Sequence, residues 1–205
     1  MTRPVVAIML AACAASAQAQ PVSIQPSVDS VEQRQSLRSL VNCVAEVRRN
    51  WARQLLAQPY LSEAQARAAG EAFEGKDRCI RGADEVEMTF RTSSIVSNLA
   101  EYYLRTDLAK VDQERLERTL NTLTPLNASE DFALCVASRA PNEARAIALS
   151  DPGSSEETQA ADKLGAVVPQ CATKGERLTV DLQGLRGLMS IALYRAATNG
   201  TVVQN

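Results

Sequence analysis

The stretch Cys43-Val44-Ala45 returns 92 positions later as Cys135-Val136-Ala137, and the interval of 36 from Cys43 to Cys79 is repeated between Cys135 and Cys171. Sliding the chain against itself by 92 residues aligns both cysteine pairs without a gap. Asn50 then meets Asn142, Ala52-Arg53 meets Ala144-Arg145, Ser62 meets Ser154, and Tyr102 meets Tyr194. Over residues 36–106, 13 of 71 aligned positions are identical. In an Ala-rich chain several of these arise by composition. The argument therefore rests on the gap-free match of both cysteines together with the apolar pattern. Four cysteines alone allow three pairings. Two copies of one unit would each close their own bridge, which predicts Cys43–Cys79 and Cys135–Cys171. In the chain-entropy model a loop of this size stabilises by ~3–4 kcal/mol.

Outward from Cys43 the pattern is helical. Ser30 and Gln33 have the spacing of a capping box. Leu37, Leu40, Val44, Val47, Trp51 and Leu55 recur at intervals of three and four, which predicts one long amphipathic helix ended by Pro59. Arg34, Arg38, Arg48, Arg49 and Arg53 read as its solvated side. Ser62 and Gln65 form a second capping box, opening a helix to about Phe73 with Gly75 as its stop. Val86, Met88 and Phe90 alternate with polar residues, as do Leu178, Val180 and Leu182. Period two predicts short strands, paired with one another across the halves. Thr92 or Ser93 would cap a third helix carrying Val96, Leu99, Tyr102 and Tyr103. Its counterpart carries Leu188, Ile191 and Tyr194.

In the second half Pro141 divides the equivalent of the long helix in two. Pro152-Gly153 reads as a turn, with Ser154 or Ser155 capping an acidic helix start at Glu156 and Glu157. Between the halves, Thr106 or Asp107 opens a connecting helix with Val111, Leu116, Leu120 and Leu123 inside and Glu114–Arg118 as an i,i+4 pair. The expected architecture is mainly α. Two similar disulfide-stapled three-helix units, 28–106 and 127–198, each contain a short extended segment. A connecting helix, 107–126, joins them, and 199–205 is a loose tail.

The N-terminus reads as a targeting segment. Arg3 precedes the apolar run from Val5 to Ala12, and Ala17-Gln18-Ala19 fits a cleavage site, so residues 1–19 are expected to be a signal peptide. Leu10-Ala11-Ala12-Cys13 also fits a lipobox, which would leave a lipidated, membrane-anchored Cys13. The expected location is periplasmic or secreted, with the anchored lipoprotein as alternative. Without residues 1–19 the chain has 21 basic against 24 acidic residues. That balance argues against nucleic acid as a partner. An even set of four cysteines in an exported chain implies structural disulfides.

A cysteine in the first helix, a cysteine before an extended stretch, and a closing segment from Leu185-Arg186-Gly187 to Ala192-Leu193-Tyr194-Arg195 resemble uncharacterised exported proteins of alphaproteobacteria. The likeness covers most of the chain after residue 19. The first half departs from it, with Ser93-Ser94-Ile95 in place of Leu-Arg-Gly. No activity is attached to such proteins, so the resemblance implies none.

The chemistry is bounded by what is missing. The chain has no histidine, which excludes a Ser-His-Asp triad, a Cys-His pair and His-ligated zinc. Two bridges would consume the four cysteines. No C-x-x-C and no Gly-rich phosphate loop occurs, and no cofactor is implied. The acids at Asp84-Glu85-Val86-Glu87 and from Asp151 to Glu157 lack calcium-loop spacing and read as solvated surface. Arg53, Arg145, Tyr102 and Tyr194 persist between the halves and are the candidates for facing a ligand. The leading expectation is a non-enzymatic module that binds another protein or envelope component. The alternative is a carboxylate-dependent hydrolase of envelope polysaccharide. Two acids ~5–10 Å apart in a cleft would favour hydrolysis, and an apolar groove between the halves would favour binding.

Overall fold

Ser30 opens the first helix, α1 (Val31–Val47), with the expected capping box: its hydroxyl accepts the Gln33 amide while the Gln33 side chain accepts the Ser30 amide. In the computed structural model, which describes residues 23–70, 79, 91–172 and 179–198, the chain is mainly helical. Ten helices and two three-residue strands are described. α1 does not run on to Pro59. It breaks at Arg48 (φ −120°, ψ 45°), and α2 (Arg49–Ala57) follows. The apolar spacing continues through the break, and no proline marks it. α3 (Glu63–Gly70) starts behind Ser62, whose hydroxyl accepts the Gln65 amide. The Gln65 side chain reaches back to the Leu61 amide, one residue beyond the capping-box position.

α4 (Thr92–Arg105) begins with Arg91 at its N-cap and no capping side chain, so neither Thr92 nor Ser93 caps it. Thr106 closes α4, its amide and hydroxyl both bonding to the Tyr102 carbonyl. The connecting helix is shorter than expected. Asp112 caps α5 (Gln113–Leu120), Leu116 and Leu120 are buried, and Arg118 pairs with Glu114.

α6 (Ala128–Arg139) and α7 (Pro141–Leu149) are the two short helices that Pro141 demands. α8 (Ser155–Gly165), capped by Ser154, α9 (Val168–Cys171) and α10 (Leu182–Ala197), capped by Asp181, complete the set. α2 and α7 match in bounds at an interval of 92 residues, and α3 and α8 match in their first residues. The break at Arg48 corresponds to Ala140 (φ −138°, ψ 63°). Leu61 (φ 62°) and Gly153 (φ 80°) are the matching left-handed residues before the two serine caps.

β1 (Ser23–Gln25) and β2 (Thr179–Asp181) pair in parallel, with Ile24 opposite Val180. β2 thus takes residues 23–25, ahead of α1, as its partner. Leu182 belongs to α10, so the alternating stretch is shorter than its pattern suggested. The expected strand at 86–90, the stop at Gly75, the N-terminal segment and the tail lie outside the described residues.

Both bridges join the expected cysteines, Cys43–Cys79 and Cys135–Cys171, each with Cα atoms 5.7 Å apart. Such bonds belong to an oxidising compartment. No described helix is long and apolar enough to cross a membrane. One apolar cluster is built on α1, α2 and α4, and another on α5 to α10. α10 serves both. Its Ile191 joins the first, while Leu185, Met189 and Leu193 join the second. α10 crosses α4 closely at Gly187, where a Cβ would lie 2.4 Å from the Ser97 hydroxyl.

Candidate functional site: a groove across the two halves

The turn between α2 and α3 is fixed from the other half of the chain. Glu130, at the third position of α6, is 2% exposed. Its carboxylate accepts the Tyr60 amide at 3.1 Å, the Leu126 amide at 2.8 Å and a hydrogen bond from Arg195. Asn127 caps α6 and donates to the Tyr60 carbonyl at 2.6 Å. A buried carboxylate persists only when its oxygens are satisfied, and here two backbone amides and a guanidinium do so. These bonds hold Leu61 in its left-handed conformation with its side chain 54% exposed.

Beside that turn lies a groove of about 370 Å³. Tyr60, Leu61 and Ser93 come from the first half. Ala128, Phe132 and Leu188 face them from the second, with Val180 and the Cys171 end of α9 nearby. The wall is chiefly apolar, and Asp131 is its one acid among the described residues. A second hollow of about 230 Å³ shares Tyr60, Ser93, Val180 and Gly184 with it. Ser94, Ser97, Thr179 and Gln183 give this hollow a polar character, and Asp29, Asp181 and Arg91 border it. Asp181 spends its carboxylate on the Gly184 amide as the α10 cap. Burial pushes the Tyr60 phenol above its ordinary value, so it enters the shared wall neutral.

The strongest charge cluster is internal. Arg186, 1% exposed, holds Glu101 through two bonds of 2.6 and 3.0 Å and reaches Glu157 at 3.0 Å. Arg34 meets Glu157 at 2.7 Å. Arg38 joins Glu101 and Asp151. The Ser150 carbonyl, at the C-terminal end of α7, accepts from Arg38, Arg105 and Arg186 at 2.8, 2.8 and 2.6 Å. Four guanidiniums thus face three carboxylates and a helix C-terminus, whose partial negative charge helps to balance them. Burial alone would raise the Glu157 carboxyl, but the Gly153 amide, Arg34 and Arg186 outweigh it and hold it below its ordinary value. Arg34 and Arg38 are therefore not on a solvated face, and Glu157 is not part of a surface acidic run. Arg34 and Glu157 are buried against each other across the halves, and Arg38 is half-buried between Glu101 of its own half and Asp151 and Ser150 of the other. No group of His, Cys, Asp or Glu that could hold a metal ion occurs among the described residues.

The four candidates from the sequence are not brought together in the groove. Arg53 pairs with Asp107 at 2.8 Å and lies over the Tyr103 ring. Arg145 binds Gln113 and the Val111 and Ala109 carbonyls, tying α7 to α5. Tyr102 is buried in the first cluster, its ring edge-on to Tyr103. Tyr194 packs between the two clusters, its ring centroid 6.1 Å from that of Tyr103. Of the four, Tyr102 is buried, Arg145 and Tyr194 are half-buried and Arg53 is exposed. The groove residues Leu61, Phe132 and Leu188 passed as ordinary apolar positions. The available signal was Leu61, which stands where Gly153 serves the matching turn. No protein family, curated protein or solved structure matches this chain.

Proposed function

We propose that this chain is an exported, non-enzymatic binding protein of the cell envelope, built from two copies of one helical unit, and that it receives part of another protein in the groove between them. The groove itself carries the reading: its wall is apolar, it lies where the two halves meet, and it contains one acid, Asp131, among the described residues. Hydrolysis of a glycosidic bond uses two carboxyl groups flanking the bond. Nearby Asp181 is committed to capping α10. The two disulfides and the targeting pattern at residues 1–19 support an exported location. The matching interval in helix breaks, left-handed turns and serine caps supports duplication.

The test is photo-crosslinking in producing cells, with p-benzoylphenylalanine placed at the exposed groove residue Ala128 and, as control, at exposed Glu114 on α5. The expected result is a discrete protein adduct in the envelope fraction from Ala128 and none from Glu114. Capture from both positions alike would remove the groove from the account. Polysaccharide hydrolysis by the intact protein, abolished by Asp131→Asn, would replace binding with catalysis.

A further inference from the structure

We infer that the groove takes a peptide segment bearing one large apolar side chain with Lys or Arg within two residues of it. This rests on the binding reading above and gives the partner its chemistry. Three observations carry it.

The first is shape. An apolar compartment lined by Leu61, Phe132 and Leu188 adjoins a hydroxyl- and amide-lined compartment, the two sharing Tyr60, Ser93, Val180 and Gly184. An apolar side chain fills the one while its own backbone needs donors and acceptors in the other. Gln183 lines that side, and its Oε1 is buried with no hydrogen-bond donor among the described residues; a peptide N–H is a donor of the required kind once that side chain turns to the hollow.

The second is charge. Asp29, Asp131 and Asp181 border the two compartments, against Arg91 alone among the described residues. Asp29 and Asp131 are exposed and have no ion pair among the described residues. This field repels a fatty-acid carboxylate or phosphate headgroup and attracts a cationic side chain.

The third is the Leu61 turn. At the matching turn a Cβ on Gly153 would strike the Val31 side chain, 2.7 Å from its Cγ2. There the chain covers the turn with its own apolar side chain. At Leu61 the corresponding direction faces the groove, and a leucine occupies a backbone conformation that glycine adopts without strain. Strain kept at an exposed residue points to a use for its side chain.

The test uses the isotope-labelled full chain, titrated with three capped pentapeptides and followed by amide NMR shifts. Lys-Ala-Phe-Ala-Lys is expected to move the amides of 128–132 and 184–188. Glu-Ala-Phe-Ala-Glu and Lys-Ala-Ala-Ala-Lys should bind at least tenfold more weakly. Leu61→Gly should weaken the first peptide at least fivefold while the thermal midpoint is kept. Asp131→Lys should reverse the preference between the Lys and Glu peptides. Equal affinity for all three peptides, shifts mapping elsewhere, or no shift with any would overturn the inference. Tighter binding of decanoate than of any peptide at the same amides would also overturn it. The crosslinking result from Ala128 is independent of these titrations. A protein adduct there with no peptide preference leaves the binding reading standing and rejects only this chemistry.

Discussion

At Gly187 one missing side chain sets the distance between α4 and α10. An ideal Cβ there would lie 2.4 Å from Ser97 Oγ and 3.0 Å from Ser97 Cβ. Ser97 is itself 2% exposed and its hydroxyl is tied to the Ser93 carbonyl at 2.6 Å, so it cannot swing away without losing that bond. Alanine gains about 1 kcal/mol of helix propensity over glycine. Overpacking of this kind costs about 1–3 kcal/mol, and with both neighbours in helix interiors the clash should dominate. Gly187→Ala is expected to lower the urea midpoint, and Ser97→Ala in the same chain should recover part of the loss by removing the closer atom. A Gly187→Ala protein as stable as the parent would mean the two helices can slide apart freely.

Elements were legible in the sequence wherever a local group decides them. Ser30, Ser154 and Pro141 act on backbone within four residues, and the helices they start lie where those residues predict. The break at Arg48 was not legible, since α1 and α2 keep one apolar spacing through it and no proline marks it. The buried arginines were equally hidden. Arg34 and Arg38 fall off the apolar stripe, and nothing local shows that Glu157 and Glu101 wait more than sixty residues away. The groove was anticipated only as a kind of surface between halves, because its walls come from segments far apart in the chain. The start of α8 carries a pH consequence. The folded Glu157 carboxyl lies below its ordinary 4.5, so its contribution is complete above about pH 4.5 and is lost as pH falls through the folded value. Stability measured by urea unfolding should therefore decline between pH 5 and 3. Glu157→Gln should lower stability at pH 7 and make that decline shallower. An unchanged slope in the variant would assign the acid sensitivity to other carboxylates.

Whether the halves unfold as one body depends on what joins them. Two apolar clusters exist, but α10 contributes to both, and the Arg186 knot ties α1 and α4 to the end of α7 and the start of α8. Glu130 adds a second tie, from α6 to the Tyr60 turn. Each disulfide closes only within its own half, so neither bridge can couple the two. Coupling must come from the buried charges and the faces of α10. The chain's single tryptophan, Trp51, packs on the first cluster, its indole donating to the Ala68 carbonyl. Its fluorescence thus reports the first half, while far-UV circular dichroism reports all helices. In the parent protein the two signals should give one coincident urea transition. Arg186→Met leaves Glu101 with Arg38 alone and removes one of the two cations on Glu157, and breaking a buried pair in this way costs about 3–5 kcal/mol. That cost falls on the seam and leaves both disulfides and most of both apolar clusters in place. The tryptophan and dichroism midpoints should then separate, since each stapled half keeps part of its own stability. Coincident but lowered midpoints in Arg186→Met would show that α10 alone suffices to make the cores cooperative. Separate midpoints in the parent would show that the knot never coupled them.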